Sequence, residues 1–547
     1  VMDKADIAHM VELFAAAAAR AQKAGFDAVE IHGAHNYILA GFLSPYYNQR
    51  NDEYGGPLEN RARLLLETIA AVKARVGPDF PVWVRLDAAE MHTPGGIDLE
   101  SAIATAELCE QAGVDAISVS AYAMLVSGTA FTDAPIPQQP QAFISNAAAI
   151  KRAVNVPIIC SGRLEPEDAD RAIAGGEIDF LAIGRKLLAD PELPIKLVEN
   201  RVKDIRPCIY CYACVSEIFV NRCVKCAVNP RTGHEYKLVL QKAMKPKHIV
   251  VIGAGPGGME AARVAALRGH RVTLLERSDR LGGSLFFAGL AYPENSKLLD
   301  YLIAQIQQLP VNVRLKTDAT PALLRQLQAD EVVVAVGAQR PSAEFPGALQ
   351  RHVWTGDELR RLMSGDGANE IAKNKLGWTE RVLFKVASLI GLTRSASALQ
   401  KLSHVWMPLG KKVVVVGGGL VGLELAEFLL ARGRHVTVLE PSTHAGRELS
   451  IVRRWRVLDA VRSHGELFLQ AQVQRITANS VEWTDRDGQQ QAHHADSVVL
   501  ALGSTPDKSL SKVLGSENMS THFIGDCSNL GYIEVAIKDG YTVGSSV

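Results

Sequence analysis

The stretch H-I-V-V-I-G-A-G-P-G-G, His248–Gly258, decides the fold of the larger part of this chain. A β-branched run stops at a glycine turn and a small-residue helical pattern follows, the strand–turn–helix context of a dinucleotide-binding fold. Gly253, Gly255 and Gly258 let the backbone approach a pyrophosphate at a helix N-terminus. The next strand pattern, V-T-L-L-E, closes on Glu276, 18 residues after Gly258, where a carboxylate can accept the ribose hydroxyls of an adenosine. The unit then recurs as V-V-V-V-G-G-G-L-V-G, with Gly417, Gly419 and Gly422, and its V-T-V-L-E closes on Glu440, again 18 residues on. An acid at that place repels a 2′-phosphate and so favours NADH over NADPH; the nearest base downstream is Arg447.

Composition sets limits around these folds. A length of 547 residues suits three or four domains. Lys+Arg and Asp+Glu are equal at 59 each, so nothing draws the chain as a whole to nucleic acid or an anionic membrane. No run of 18 apolar residues appears, so no transmembrane segment is expected. The first residues read as helix rather than as a signal peptide. The expectation is a cytoplasmic enzyme acting on a small-molecule substrate, with a homo-oligomer compatible with the composition.

Five of the eight cysteines, Cys208, Cys211, Cys214, Cys223 and Cys226, fall within 19 positions. Clustered thiols of this kind suggest metal ligation rather than disulfides. Cys208, Cys211, Cys214 and Cys226 read as C-x2-C-x2-C-x11-C. A tight loop can supply three thiolates to one cage and a later cysteine the fourth, which suits a [4Fe–4S] cluster. Structural zinc is the alternative, although its sites usually show two separated C-x2-C pairs. Cys223 could replace Cys226 but reads as a spare thiol.

Residues 1–205 alternate short apolar runs with helical patterns, the signature of βα units on a parallel sheet. Strands are expected at Ala28–His32, Val82–Leu86, Ala116–Ser120, Pro157–Ser161 and Phe180–Gly184, and helices around Leu64–Arg75 and Leu99–Ala112. Five strands are fewer than the eight of a (β/α)8 barrel, so the sheet is either open or a barrel entered about three units in; the second is the expectation. The other expected parts are a cysteine segment at 206–245, an FAD-binding domain from 246–341 and 490–547, an insert at 342–410, and an NAD(H)-binding domain at 411–489. The insert carries an apolar, basic helix pattern, Trp378–Leu392, read as a lid in preference to a membrane-surface or partner-binding helix.

Longer motifs carry a family resemblance. V-E-I-H-G-A-H-N-Y (Val29–Tyr37), F-L-S-P-Y-Y-N-Q-R-N-D-E-Y-G-G-P-L-E-N-R (Phe42–Arg61) and A-I-G-R-K-L-L-A-D-P (Ala182–Pro191) resemble old yellow enzyme barrels. V-A-V-G-A-Q-R-P (Val334–Pro341), L-A-L-G-S-T-P (Leu500–Pro506) and I-G-D-C (Ile524–Cys527) resemble the FAD/NAD module of disulfide reductases, without its C-x4-C disulfide. In this order the parts resemble the group of 2,4-dienoyl-CoA reductase, 2-enoate reductase and trimethylamine dehydrogenase. The resemblance implies a TIM barrel holding FMN, a [4Fe–4S] segment and a module holding FAD, with Asp526 on the flavin ribityl chain. It implies that Gly162, Arg163, Gly184 and Arg185 hold the FMN phosphate and that Arg85 approaches the isoalloxazine.

His32 and His35, three apart at a strand end, can converge on one substrate oxygen and polarise a carbonyl. In the family, Tyr37 would protonate the α-carbon from the opposite face. A metal role for the His pair lacks a third ligand. Three features depart from the relatives: Asn36 stands where a glycine usually precedes the tyrosine; around Ser120–Leu125 there is no second catalytic histidine of the dienoyl-CoA reductase kind; and the short spacing of the second and third cysteines matches the amine dehydrogenases. The leading expectation is an NADH-dependent ene-reductase. The alternatives are an amine dehydrogenase or N-demethylase, and a non-catalytic electron-transfer chain.

Overall fold

The computed structural model describes residues 2–123, 139–341, 345–364, 368–389, 396–515 and 519–547. It divides into two units, Val1–Gly184 and Arg185–Val547.

The first unit opens on the helix Lys4–Lys23, whose Asp3 and Asp6 side chains cap each other's backbone N–H. Five parallel strands follow, Val29–Gly33, Val82–Met91, Ala116–Ala123, Ile158–Cys160 and Phe180–Leu181, each paired with the next in sequence. That sequential, all-parallel order is the order of strands in a (β/α)8 barrel. Helices Leu58–Val76 and Leu99–Gln111 return the chain between strands and bury Leu64, Leu65, Ile69, Ala102 and Ala106 against Val82, Val84, Leu86 and Ile117. Burying each such large aliphatic side chain contributes roughly 1.5–3 kcal/mol. Val82–Met91 is longer than expected because its far end is buried too. Glu90 lies inside, its Oε2 accepting from Ser44 Oγ at 2.6 Å and from the Ile97 N–H at 2.9 Å. Met124 and Leu125 of the Ser120–Leu125 stretch lie outside the described residues.

The second unit holds two parallel sheets of five strands. One runs Ser520–Phe523, Glu331–Val334, His248–Ile252, Arg271–Leu275, Val311–Arg314. The other runs Val353–Thr355, Ser497–Leu500, Lys412–Val416, His435–Glu440, Glu466–Leu469. The two crossover segments meet as a short antiparallel pair, Ala338–Gln339 with Thr505–Pro506.

Three expected boundaries shift. Ser497–Leu500 pairs with Lys412–Val416, so the second dinucleotide domain runs past 489. The 342–410 segment is not only an insert, since its Val353–Thr355 forms that sheet's edge. Arg185 onward packs with the cysteine segment rather than the barrel strands: Asp190 accepts the Arg206 N–H at 2.8 Å, and Asn229 donates to the Leu188 carbonyl at 3.0 Å. The helix expected at Trp378–Leu392 spans Trp378–Leu389, and 390–392 lie outside the described residues. Among the described residues no helix is long and apolar enough to cross a membrane.

Candidate active site

At the end of Val29–Gly33 the register sets His32 beside Arg85, and one strand further Asp87 beside Ser120. The chain then turns through His35 and Asn36, both left-handed at φ 60° and 55°, before the helix Ile38–Leu43. Two bonds hold the turn. The His35 N–H donates to Asp87 Oδ2 at 2.5 Å, and His35 Nε2 shares a hydrogen bond with Ser120 Oγ at 2.6 Å. The His32 ring centroid lies 5.0 Å from that of His35 and 5.2 Å from that of Tyr37. Tyr37 is 63% exposed, so its hydroxyl can reach a ligand.

Electrostatics keep both imidazoles neutral at neutral pH. Burial, then Arg85, lowers His32 from its usual value; burial, then His32 and Arg85, pushes His35 down to about 4. Asp87 moves the other way, up to about 8, because burial and Glu90 outweigh the His35 N–H and Arg85. The 3.8 Å approach of His35 Nε2 to Asp87 Oδ1 therefore joins two neutral groups at pH 7 and is not an ion pair. Oδ1 is buried and accepts no hydrogen bond.

The residues expected around FMN fit a flavin. Arg85 Nε lies 3.0 Å from Glu30 Oε1, a pairing that holds the guanidinium at the strand end beside His32. Gly162 has φ 105°, and a Cβ there would lie 2.7 Å from the Phe143 ring, so only glycine suits the turn. Arg163 follows at φ 60°, and Gly184 has open space where a Cβ would project. In the second unit, Arg185 lies over the rings of Tyr210 and Tyr212, 5.2 and 5.0 Å from their centroids, within the cysteine segment.

Tyr210 and Tyr212 are left-handed at φ 48° and 59°, coiling the chain through Cys208 and Cys211 into the helix Ala213–Phe219, whose first turn carries Cys214. Burial raises Cys211, Cys214 and Cys226, and each is raised further by neighbouring thiols of the same four, Cys208 included. Cys223 is exposed. All eight cysteines are free of disulfides. Among the described residues, no three His, Cys, Asp or Glu side chains converge tightly enough for a single metal ion. Zinc needs thiolates at about 2.3 Å from one point. Four thiols that influence one another are the kind of donor set a four-iron cage uses.

The loop is anchored on both sides. Arg206, two residues before Cys208, donates to Glu260 at 3.0 Å, and Glu260 also takes Arg263 at 2.8 Å; all three are buried. The Cys211 carbonyl accepts from Ser450 Oγ, and Arg456 stacks on Tyr212 at 4.5 Å.

Both glycine motifs fit a dinucleotide. Gly253 and Gly417 turn at φ 97° and 106°. A Cβ on Gly258 or Gly422 would lie 1.9 Å from the carbonyl oxygen of the first glycine in its own motif. Glu276 directly follows its strand and Glu440 ends its own, and both accept backbone N–H groups at 2.6–2.8 Å. A cavity of about 2190 Å³ is lined by Gly253, Gly255, Glu276, Gly417, Gly419, Glu440 and Asp526, room for two dinucleotides. Asp526 Oδ1 accepts the N–H groups of Gly531 and Tyr532 at 2.9 and 3.0 Å, so it caps the turn into the helix Tyr532–Ser546 while lining the cavity.

Sequence reasoning missed Asp87 and Ser120. The available signal was Asp87 standing two residues after Arg85, which places both on one strand face.

A flavin turn, an activated histidine pair and two dinucleotide folds define a flavin-dependent oxidoreductase. Residues 1–204 match the NADH:flavin oxidoreductase / NADH oxidase family, 248–330 the FAD dependent oxidoreductases, and 311–525 the pyridine nucleotide-disulphide oxidoreductases. The chain is 33% identical to an NADH oxidase of Thermoanaerobacter brockii, over 98% of this chain and 77% of that protein. It is 30% identical to a cinnamate reductase of Clostridium sporogenes, over 99% and 78%. Two solved structures superpose on the whole chain and 77% of theirs: 2-naphthoyl-CoA reductase with 2-naphthoyl-CoA (TM-score 0.85, 28% identity) and histamine dehydrogenase from Rhizobium sp. 4-9 (TM-score 0.80, 25% identity). The chain belongs to the NADH:flavin oxidoreductase / NADH oxidase family, in its 2,4-dienoyl-CoA reductase branch, where a TIM barrel precedes FAD- and NAD(P)-binding domains.

Proposed function

We propose that this chain is an NADH-dependent ene-reductase that reduces an activated C=C bond of an enoate, enoyl-CoA or steroid-type enone. The observation that carries the reading is the pair of neutral imidazoles, His32 and His35, 5.0 Å apart with Tyr37 beside them. Likeness to a cinnamate reductase and a 2-naphthoyl-CoA reductase supports it. When bound, FAD, a [4Fe–4S] cluster and FMN would supply the hydride and single-electron chemistry linking NADH to the substrate. Gly253, Gly255, Gly258, Glu276 and Asp526 would hold FAD, Cys208, Cys211, Cys214 and Cys226 the cluster, and Arg85, Gly162, Arg163 and Gly184 FMN, with Arg185 an expected further phosphate contact. Gly417, Gly419, Gly422 and Glu440 would bind NADH.

The chain's own residues handle the oxygen and the proton. N–H groups of His32 and His35 bind the substrate carbonyl oxygen and draw charge from the β-carbon. This requires the His35 proton on the ring nitrogen that Ser120 does not engage, which makes Ser120 the donor to Nε2. The Tyr37 hydroxyl then gives its proton to the α-carbon. Arg85 adds positive charge beside the pair, favouring the electron-rich state of the bound enone.

A second reading, an amine dehydrogenase or N-demethylase, is favoured by the likeness to histamine dehydrogenase. Stopped-flow flavin bleaching in the holoenzyme separates the two. Rapid bleaching by NADH, reversed by an enone or enoate, supports the ene-reductase; bleaching by methylated amines but not by NADH sinks it.

A further inference from the structure

The two dinucleotide folds of this chain match bond for bond, which allows one to serve as a control for the other. In the first, Glu276 accepts the N–H groups of Ala254 and Ser278, both at 2.8 Å, and Ser278 Oγ donates to the Arg280 carbonyl at 2.8 Å. In the second, Glu440 accepts those of Gly418 and Ser442 at 2.6 and 2.8 Å, and Ser442 Oγ donates to the His444 carbonyl at 2.8 Å. The loops then return alike: Gly282 N–H reaches the Ala254 carbonyl at 2.9 Å, and Gly446 N–H the Gly418 carbonyl at 2.8 Å. This register pairs Gly255 with Gly419, Pro256 with Leu420, and Ser284 with Glu448.

The pairs differ where a ligand's pyrophosphate would rest. Above Gly255 the space is open, with nothing within 4 Å of a would-be Cβ. Above Gly419 the same Cβ would meet Glu448 Oε1 at 3.3 Å. Glu448 Oε2 accepts the N–H of Leu420, the first residue of the helix Leu420–Leu430, at 3.2 Å. In the first fold that place belongs to Pro256, which has no N–H to offer.

We propose that Glu448 is a binding determinant of the second fold: its carboxylate stands in for the pyrophosphate, and a dinucleotide binds only as that carboxylate leaves. The inference rests on the reading that the second fold binds NADH, and adds how that binding is restrained. A side-chain carboxylate and an incoming pyrophosphate compete for the same helix-end N–H groups and repel each other. The bound state thus begins from a displaced-Glu448 minority, and apparent affinity falls by that fraction.

The test compares the full-length holoenzyme with its Glu448→Gln and Glu448→Ser variants, the latter restoring the residue of the first fold. NADH and ADP-ribose dissociation constants are measured by titration calorimetry, with FAD content and melting temperature recorded for each protein. Both variants should bind both probes about tenfold more tightly at unchanged FAD content. Wild-type-like or weaker binding in both variants, with the wild type binding NADH, would overturn the role of Glu448 and leave the NADH reading intact. No NADH binding by any of the three proteins would overturn that reading and this inference with it.

Discussion

His35 donates its backbone N–H to Asp87 Oδ2 at 2.5 Å, so a left-handed residue is held by a carboxyl that solvent does not reach. A non-glycine residue in that region costs about 1–3 kcal/mol and persists only where its surroundings over-determine it. Asp87→Ala removes the acceptor and lets the turn relax, moving the imidazole away from the carbonyl it should polarise. The substrate half-reaction should slow by roughly tenfold or more, while flavin reduction by NADH holds. Asp87→Asn keeps an acceptor and should stay near wild type. Equal substrate rates in wild type and Asp87→Ala, measured by stopped-flow reoxidation, would remove Asp87 from the site's support.

Asp87 and His35 also fix a pH dependence of stability. Between 3.8 and about 8 the folded chain keeps an Asp87 proton that the unfolded chain has lost, so this group lowers stability as pH rises. Between about 4 and 6.5 the unfolded chain binds a His35 proton that the folded chain refuses, so that group raises stability as pH rises. The two oppose each other up to pH 6.5, and above it Asp87 acts alone. The melting temperature of Asp87→Asn minus that of wild type should therefore grow from pH 6.5 to 8. A flat difference would mean that Asp87 ionises freely in the fold.

The contrast between what was legible and what was not follows from sequence distance. The H-x-x-H turn, the four thiols and the glycine motifs are local patterns, each imposed by neighbours along the chain. Asp87 and Ser120 gain their role only from the cross-strand register that seats them side by side. The place of Ser497–Leu500 is hidden for a similar reason: a β-branched run does not declare its partner, and this one pairs with Lys412–Val416. Arg206 before the cysteines looks like an ordinary surface cation until Glu260 and Arg263 close around it.

Tyr37 separates chemistry from stability. Its side chain is mostly exposed and caps no helix, so Tyr37→Phe should leave the folding stability within about 0.5 kcal/mol of wild type. Loss of a positioned proton donor should nevertheless slow enone turnover by about 10²–10⁴. Flavin reduction by NADH should be unaffected. If enone turnover also held, another group donates the proton.

The thiol cluster predicts an asymmetry between two neighbouring cysteines. Cys214, in the first turn of the helix that follows Cys208 and Cys211, is raised by burial and then by the Cys208 thiol, whereas Cys223 is exposed. Cys214→Ser should lose bound iron and sulfide and the broad visible absorbance of a cluster, and Cys223→Ser should keep them. Full iron content in Cys214→Ser, with loss in Cys223→Ser, would transfer the ligand role to Cys223.

Glu260 should connect stability with the thiol loop. It is fully buried between Arg206 and Arg263, which hold its carboxyl down near 2, well below the usual range. Glu260→Gln leaves two guanidinium groups in the interior without a counter-charge, a change that typically costs about 3–5 kcal/mol. Arg206 also donates to the Val228 carbonyl, so it ties the segment before Cys208 to the segment just after Cys226. Repulsion from Arg263 should push Arg206 outward and loosen both ends of the thiol loop together. The expected result is a lower melting temperature accompanied by reduced iron per chain, with the iron restored in Glu260→Asp. Destabilisation with full iron content would show that the charge triad supports only the helix Pro256–Leu267, which carries Glu260 and Arg263, and that the thiol loop holds its shape through Ser450 and Arg456.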